Sequence, residues 1–150
     1  MEDKALLSTE EASGAEKAEL LIVIPAYNEA ENIERVVNHL TANFPQYDYV
    51  VVNDGSRDET AAICQRNGYN LLNLPVNLGL AGAFQAGLKY ADKYGYQYAV
   101  QLDGDGQHRP EYLESMIKKM EEGYDIVIGS RFVGEKKPFT MRMLGSNLIE

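Results

Sequence analysis

Two aspartates separated by a single glycine follow an apolar segment of the chain. Asp103 and Asp105 stand in LDGDGQH, and Gln107 comes two residues later. Two carboxylates held this close in a turn repel each other unless a cation lies between them or one pKa is raised. Oxygen ligands suit Mg²⁺ and Mn²⁺. We therefore predict a divalent-cation site at these three residues, with a solvated acidic turn as the alternative, because Asp and Gly also favour turns.

A second group of polar residues follows two other apolar segments. Tyr27 and Glu29 come directly after LLIVIP, and Asp54 follows YVVV in the motif NDGS. The Asp54 carboxylate can accept hydrogen bonds from a base imide or a ribose hydroxyl, and Tyr27 offers a stacking surface. The alternatives are local, since Asp54 can form an Asx turn and Glu29 can complement the dipole of a following helix.

The apolar segments before these motifs have the composition of buried strands. Short runs rich in branched residues alternate along the chain with segments of helical periodicity. This alternation predicts an α/β fold with a mostly parallel, Rossmann-like sheet and helices on both faces. Ligands of such sheets bind at the edge where the strands end, and the motifs cluster there. The five predicted strands lie in LLIVIP, YDYVVVN, NLLNLPV, YAVQLDGDGQH and YDIVIGS.

Four helices are expected between and after the first strands. Asn28 with Glu31 and Ser56 with Glu59 are candidate capping boxes for the first two helices. The inward positions of the first helix follow the helical repeat at Ile33, Val36, Val37 and Leu40. Those of the third helix are Leu80, Ala83, Phe84, Gly87, Leu88 and Ala91. Pro110 suits the first turn of the fourth helix, whose inward residues are Leu113, Met116, Ile117 and Met120.

Composition excludes several functional classes. The net charge of −9 argues against nucleic acid as a partner, because affinity for a phosphate backbone rests on Lys and Arg. Cys64 is the single cysteine and cannot form an intramolecular disulfide, and we interpret it as a small buried hydrophobe. No apolar run reaches the length of a membrane span, and residues 1–19 are polar and acidic, which predicts a flexible leader and a cytoplasmic chain.

The turn after the first predicted strand argues against dinucleotide binding. Its sequence, PAYNEAEN, contains no glycine, whereas a dinucleotide-binding fingerprint needs glycines so that pyrophosphate can approach the helix N-terminus. The GK[ST] ending of a Walker A motif is also absent from the sequence. If an anionic ligand binds this acidic chain, a divalent cation is the simplest way to neutralise the ligand.

Five motifs together resemble glycosyltransferase family 2. They are VIPAYNEAENI, VVNDGSRDET, NLGLAGAFQAG, LDGDGQHRPE and IVIGSRF, in this order and spacing. The likeness is greatest to the branch that transfers sugars to dolichyl or other polyprenyl phosphates, and it covers about residues 20–134. The resemblance implies a GT-A fold, a nucleotide-diphosphate sugar donor linked to UDP or GDP, a Mg²⁺ or Mn²⁺ cofactor and inversion at the anomeric carbon.

The resemblance also assigns roles to individual positions. The nucleoside pocket is expected to be lined by Pro25, Tyr27, Glu29 and Asp54. The cation and diphosphate are expected to face Asp103, Asp105 and Gln107, with both aspartates as catalytic residues and Asp103 also touching the donor. Arg131 is expected to approach phosphate. Two positions depart from the pattern, because Asn53 stands where many relatives have Asp and Leu80 where some have Lys.

The last residues give a separate expectation. Residues 135–150 place Lys136, Lys137 and Arg142 among large apolar side chains. We interpret this basic amphipathic tail either as a peripheral contact to the inner face of a membrane or as a linker into a missing acceptor-side segment.

Three hypotheses about function remain open from the sequence. The first is a transferase that acts on a polyprenyl phosphate in cell-envelope glycan synthesis. The second is a transferase of the same family with a saccharide acceptor in polysaccharide synthesis. The third is a donor-binding fragment without turnover.

Overall fold

The computed structural model describes residues 19–104 and 110–129. The chain divides into two compact units, one ending at Pro110 and the other starting at Glu111. The strands of the first unit are β1 (Leu20–Ala26), β2 (Asp48–Asp54), β3 (Leu71–Leu74) and β4 (Tyr98–Gln101). Its α-helices are α1 (Ile33–Asn43), α2 (Thr60–Arg66) and α3 (Gly79–Lys93). A 3₁₀ turn at Pro110–Tyr112 leads into α4 (Leu113–Glu121).

The four strands form one parallel sheet, as the sequence predicts. Their order is β3-β2-β1-β4, so that β1 lies between β2 and β4. Every residue of β1 is buried, which accounts for its unbroken apolar sequence LLIVIPA. Leu21 and Val23 of β1 face a core cluster that includes Ala83 and Ala91 of α3. The alternate residues of β1 point to the opposite face of the sheet and are buried as well, so both faces are covered.

Helix α3 packs closely on the sheet through its small residues. The buried positions are Ala83, Gly87 and Ala91, and a Cβ built on Gly87 would lie 2.2 Å from Val23 Cγ1. The prediction that Leu80 and Leu88 point inward is wrong, since they are 58% and 41% exposed. When a helix approaches a sheet this closely, only the small residues fit at the line of contact, and larger neighbours are displaced to its sides.

The other helical faces agree with the sequence pattern. Helix α1 buries Ile33, Val37 and Leu40, while Val36 is half-buried. Cys64 of α2 is fully buried, and burial raises the pKa of its thiol, in keeping with a structural role. In α4, Leu113 is buried, and the other three predicted inward residues are partly buried. Of the helices in residues 19–104 and 110–129, none is long and apolar enough to cross a membrane.

The predicted fifth strand is not formed. Residues 124–129 adopt no strand, and Ile126 and Ile128 are 78% and 84% exposed. An apolar β-branched run indicates a tendency to be buried, but a strand exists only where a neighbouring strand exchanges backbone hydrogen bonds with it. Within the described part of the chain, this segment has no such neighbour.

Neither predicted capping box is present. Helix α1 begins at Ile33 and α2 at Thr60, and the residues at their N-caps, Asn32 and Glu59, make no side-chain capping bond. Asn28 instead adopts a left-handed backbone conformation with φ of 56°, and its Oδ1 accepts a hydrogen bond from the Arg57 N–H at 2.9 Å. The side chains that match the local capping pattern therefore bond across two loops.

These cross-loop bonds tie the β1–α1 loop to the β2–α2 loop. The backbone N–H groups of Asn28, Glu29 and Ala30 donate to side chains of the second loop. The acceptors, in the same order, are Ser56 Oγ at 3.0 Å, Thr60 Oγ1 at 2.9 Å and Asp58 Oδ2 at 3.1 Å. We call this set of three bonds the loop clasp. It fixes the chain immediately after β1.

Asp58 is the charged member of the loop clasp. Desolvation acts to raise the pKa of its carboxyl, but hydrogen bonds from the Thr60 hydroxyl, the Thr60 N–H and the Ala30 N–H outweigh it and lower the pKa below 3.8. A lowered folded-state pKa means that the ionised form stabilises the fold above the unfolded-state pKa. That stabilisation is lost as the pH falls through the folded-state value.

We expect Gly87→Ala to destabilise the protein. Removing a helical glycine usually gains up to about 1 kcal/mol, but the new methyl would overlap Val23, and overpacking in a buried site costs about 1–3 kcal/mol. Chemical denaturation should show a lower unfolding free energy. The exposed Lys89→Ala should stay within about 0.5 kcal/mol of wild type. If the clash is the cause, Val23→Ala combined with Gly87→Ala should lose less stability than the sum of the single losses.

We expect Asp58→Asn to lower stability at neutral pH by about 1 kcal/mol, because an amide accepts fewer hydrogen bonds and carries no charge. The carboxylate is solvent-exposed, which keeps the effect small. The difference in unfolding free energy should shrink as the pH is lowered from about 5 towards 3. Glu31→Gln, which removes an exposed carboxylate outside the loop clasp, is the control. If the difference in unfolding free energy between Asp58→Asn and wild type did not change with pH, the lowered pKa assigned to Asp58 would be contradicted.

Candidate functional site

A cavity of about 210 Å³ opens at the edge of the sheet where the parallel strands end. Its walls come from the end of β1 and the loop after it, from the ends of β2 and β4, and from the first turns of α3. The lining residues are Pro25, Ala26, Tyr27, Glu29, Asp54, Leu80, Ala83, Asp103 and Gly104. Parallel pairing thus brings together residues that lie far apart in the sequence.

Asp103 lies just beyond β4. The backbone pairing of β4 with β1 continues past the strand, since the Leu102 N–H donates to the Val23 carbonyl at 2.9 Å. The half-buried Asp103 carboxylate accepts a hydrogen bond from Gln101 Nε2 at 2.8 Å through Oδ1. At Gly104 a Cβ would come within 3.1 Å of the Pro25 carbonyl oxygen. This close approach favours glycine and holds Asp103 against the end of β1.

Asp54 ends β2 and is 3% exposed. Its Oδ1 accepts a hydrogen bond from the Leu78 N–H at 2.6 Å, and its carbonyl oxygen accepts one from Asn77 Nδ2 at 3.1 Å. Gly55, with φ of 66°, lets the chain turn beside Asn77, where a Cβ would lie 2.7 Å from the backbone nitrogen. Asp54 therefore fixes the loop before α3 and also lines the cavity, in place of a simple Asx turn.

Asn53, one of the two departures from the family pattern, is buried next to Asp54. It pairs with Asn73 in the β2–β3 register, and its Nδ2 donates to Asn73 Oδ1 at 2.6 Å. Its Oδ1 accepts a longer bond from the Ser56 N–H at 3.4 Å. The amide thus bonds to protein partners on both sides. Of the adjacent residues Asn53 and Asp54, it is Asp54 that lines the cavity.

Residues after β1 supply the opposite wall. Glu29 is partly buried, and its Oε2 accepts a hydrogen bond from Asn32 Nδ2 at 2.9 Å. Tyr27 stands at the mouth of the cavity with 43% of its surface exposed, which leaves a ring face available for stacking. Leu80, the second departure from the family pattern, also lines the cavity and is exposed there.

The cavity wall is acidic. Glu29, Asp54 and Asp103 contribute carboxylates, and none of the lining residues within 19–104 and 110–129 is Lys or Arg. Carboxylate oxygens are suitable ligands for a hard divalent cation, so the chemistry of this wall fits Mg²⁺ or Mn²⁺ better than a bare anion. In the described part of the chain, no group of three metal-ligating side chains is close enough to form a complete site.

The structure brings together five of the eight predicted site residues. Pro25, Tyr27, Glu29, Asp54 and Asp103 share one cavity. Asp105, Gln107 and Arg131 lie outside the described residues.

The sequence interpretation missed Ala26, Leu80, Ala83 and Gly104 as cavity residues. The tight glycine turn after β4 is a signal that could have identified Gly104, and the glycine-rich motif at the start of α3 could have pointed to Leu80 and Ala83.

The loop clasp agrees with the argument against dinucleotide binding. In a dinucleotide fold, free backbone N–H groups after the first strand face the pyrophosphate. Here the N–H groups of Asn28, Glu29 and Ala30 already donate to side chains of the neighbouring loop. They are not available to a phosphate, so its charge must be met elsewhere in the site.

Comparison with known proteins adds independent information. The sequence profile described as Glycosyl transferase family 2 matches residues 21–148. A polyprenol monophosphomannose synthase from Mycolicibacterium smegmatis is 34% identical over 119 residues, which cover 75% of this chain and 45% of the relative. An undecaprenyl-phosphate mannosyltransferase from Micrococcus luteus is also 34% identical over 119 residues, covering 76% of this chain and 49% of the relative.

Solved structures share the fold. The mannosyltransferase PcManGT from Pyrobaculum calidifontis, in complex with GDP-Man and Mn²⁺, superposes with a TM-score of 0.57 at 22% identity, covering 68% of this chain and 32% of that one. TarS from S. aureus in complex with UDP-GlcNAc superposes with a TM-score of 0.57 at 23% identity, covering 77% and 38%. These likenesses confirm the predicted GT-A fold.

The match is partial in length, since the chain spans about half the length of the curated relatives that it matches. It nevertheless includes β1 to β4, the cavity between them and most of the remaining sequence. The family profile accounts for far more than half of the chain. The chain therefore belongs to glycosyl transferase family 2.

Proposed function

We propose that this chain is the donor-binding part of a metal-dependent, inverting glycosyltransferase that moves a sugar from a nucleotide diphosphate to a polyprenyl phosphate. The observation that carries the proposal is the acidic cavity, in which Asp103 shares a wall with Glu29 and Asp54 at the ends of the parallel strands. Membership of the family and the names of the two mannosyl-transferring relatives support the same conclusion.

In this proposal, the nucleoside binds at the side of the cavity formed by the ends of β1 and β2. Tyr27 presents an exposed ring against which a base can stack, and Pro25 adds an apolar surface beside it. The Asp54 and Glu29 carboxylates can accept hydrogen bonds from base N–H groups or ribose hydroxyls. The two nucleotide-bound structures hold GDP-Man and UDP-GlcNAc, so either nucleotide is compatible with the fold.

The diphosphate is proposed to bind at the side of the cavity that lies next to the end of β4. Asp103 and Asp105, with Gln107, are proposed to hold Mg²⁺ or Mn²⁺, and Arg131 to contact phosphate. When bound, the cation would neutralise charge on the diphosphate and make it a better leaving group. The hydrogen bond from Gln101 fixes the direction of the Asp103 carboxylate, and the close packing of Gly104 on Pro25 holds its backbone. Such fixed orientation lowers the reorganisation needed during reaction.

The transfer itself is proposed as a single displacement. An oxygen of the acceptor phosphate forms a bond to the anomeric carbon as the bond to the donor diphosphate breaks, and the nucleoside diphosphate leaves with the electron pair. Attack from the face opposite the leaving group inverts the anomeric centre. A lipid phosphate is already ionised at neutral pH, so the step requires no strong general base from the protein.

The tail at residues 135–150 is proposed to contact the membrane that carries such an acceptor, at its inner face. Lys136, Lys137 and Arg142 stand close in the sequence to Phe139, Met141, Met143 and Leu144. Each basic residue near an anionic bilayer contributes on the order of 1 kcal/mol of attraction, and the apolar side chains can enter the interface. The tail lies outside the described residues, so this step rests on its sequence.

We expect donor binding to need a divalent cation and the two aspartates. Calorimetry with GDP-mannose and with UDP-sugars should show binding in Mn²⁺ that weakens strongly in EDTA. Asp103→Asn and Asp105→Asn together should raise the dissociation constant by roughly 10-fold or more, because amides are poor ligands for hard cations. Asp92→Asn, which neutralises an exposed carboxylate of α3 outside the cavity, should leave it unchanged. Unaltered affinity and cation dependence in the double variant would refute the metal assignment.

We expect the protein to transfer sugar to a polyprenyl phosphate in liposomes, with the bound donor identified by calorimetry as the substrate. Removal of residues 135–150 should reduce association with anionic liposomes in a flotation assay and leave Mn²⁺-dependent donor binding intact. Liposomes of neutral lipid are the control for the electrostatic part. Transfer to a saccharide instead would favour polysaccharide synthesis, and binding without any transfer would favour the donor-binding fragment. Unchanged liposome association after the deletion would contradict the membrane role.

A further inference from the structure

The loop clasp connects residues outside the cavity to residues that line it. Its acceptors, Ser56, Asp58 and Thr60, are not among the cavity residues. The groups that they hold belong to the segment 28–30, which follows Tyr27 and contains Glu29, both of which line the cavity. Three consecutive backbone N–H groups are held, so the path of the chain over this segment is fixed from the neighbouring loop.

Thr60 occupies the centre of the loop clasp and is fully buried. Its hydroxyl accepts the Glu29 N–H at 2.9 Å and donates to Asp58 Oδ1 at 2.5 Å. An ionised carboxylate can only accept, so the hydroxyl hydrogen must point to Asp58 and an oxygen lone pair is left to face Glu29. Asp58 also accepts the Thr60 N–H at 3.0 Å, which fixes the carboxylate in turn.

One residue of the segment that Thr60 holds has a left-handed backbone conformation. Asn28 has φ of 56°, in the left-handed region that residues other than glycine adopt infrequently, although Asn adopts it more often than most. The bonds from Asn28 N–H to Ser56 and from the Arg57 N–H to Asn28 Oδ1 hold it there. Without these partners and the neighbouring Thr60 bond, the loop has more conformations available, and Glu29 would occupy its place in the cavity for less of the time.

We propose that Thr60, oriented by Asp58, is a positioning residue that holds Glu29 and the adjoining Tyr27 in the geometry required for nucleotide-sugar binding. The proposal rests on the proposed function, because it assumes that the cavity is the donor site. Thr60 acts through the backbone of Glu29 and does not itself line the cavity. Its contribution is to reduce the entropy that the β1–α1 loop would otherwise lose when donor binds.

The test compares two substitutions of the same residue. Thr60→Val keeps the shape and removes the hydroxyl, and Thr60→Ser keeps the hydroxyl. We expect Thr60→Val to raise the dissociation constant of the nucleotide sugar in Mn²⁺ by roughly 10-fold, as loss of a buried hydrogen-bond partner does. Thr60→Ser should restore affinity to within about 3-fold of wild type by the same conversion. In an active preparation, KM for the donor should rise while kcat changes little.

Two controls separate positioning from general stability. Thr41→Val removes a hydroxyl that bonds only to carbonyl oxygens within α1, and Ile63→Val reduces the core contact of α2 next to Thr60 without touching the loop clasp. Both should bind donor as wild type does, even if Ile63→Val lowers the melting temperature as much as Thr60→Val. Hydrogen exchange should also be faster at the Glu29 amide in Thr60→Val and normal in Ile63→Val.

The outcomes distinguish this inference from the proposed function. If wild-type protein binds no nucleotide sugar, the proposed function fails. If wild type binds and Thr60→Val binds equally well, the positioning role is wrong while the function stands. If Thr60→Val does not fold, two other variants test the loop clasp. Ser56→Ala removes the acceptor of the Asn28 N–H at a half-buried site. Asn28→Gly removes the Oδ1 acceptor of the Arg57 N–H, and glycine tolerates the left-handed backbone. Wild-type affinity in both of these variants would overturn the proposal.

Discussion

Parallel pairing of β1 with β2 on one side and with β4 on the other determines where the cavity residues at the strand ends lie. Backbone hydrogen bonds along both sides of β1 place the ends of the three strands level, so that Ala26, Asn53 and the segment after Gln101 reach the same edge. Residues from distant parts of the sequence meet there, and contacts such as that of Gly104 with the Pro25 carbonyl oxygen add to the strand pairing. The long apolar run of β1 is what permits this, because only a strand buried on both faces can occupy the centre of such a sheet.

The distribution of charge at that edge follows from how the loops use their hydrogen bonds. The backbone N–H groups of the segment 28–30 donate hydrogen bonds to the side chains of Ser56, Thr60 and Asp58. One oxygen of the Asp54 carboxylate accepts a hydrogen bond from the Leu78 N–H. Among the described residues, the charged side chains that line the cavity are the three carboxylates of Glu29, Asp54 and Asp103, beside apolar residues and Tyr27. Carboxylates in this position suit a divalent cation better than a bare anion.

Much of the fold, and the meeting of five candidate residues in one cavity, could be predicted from the sequence, because they depend on patterns that act over a few residues. The buried run of β1, the period of α1 and the position of Asp103 after an apolar strand are of this kind. The errors arose where a partner distant in the sequence decides the outcome. Asn28 and Ser56 match a local capping pattern but bond across loops. Ile126 and Ile128 have the composition of a strand, and no strand of the described chain pairs with them.

The pairing of β1 with β4 also has a consequence for biosynthesis. The two strands are neighbours in the sheet, yet most of the described domain separates them along the chain. During translation at roughly 5–20 residues per second, one side of β1 waits on the order of several seconds until β4 leaves the ribosome. For that interval the backbone edge of β1 that later pairs with β4 is open to wrong pairing, while β2 and α3, which leave the ribosome earlier, can already cover its other edge and one of its faces.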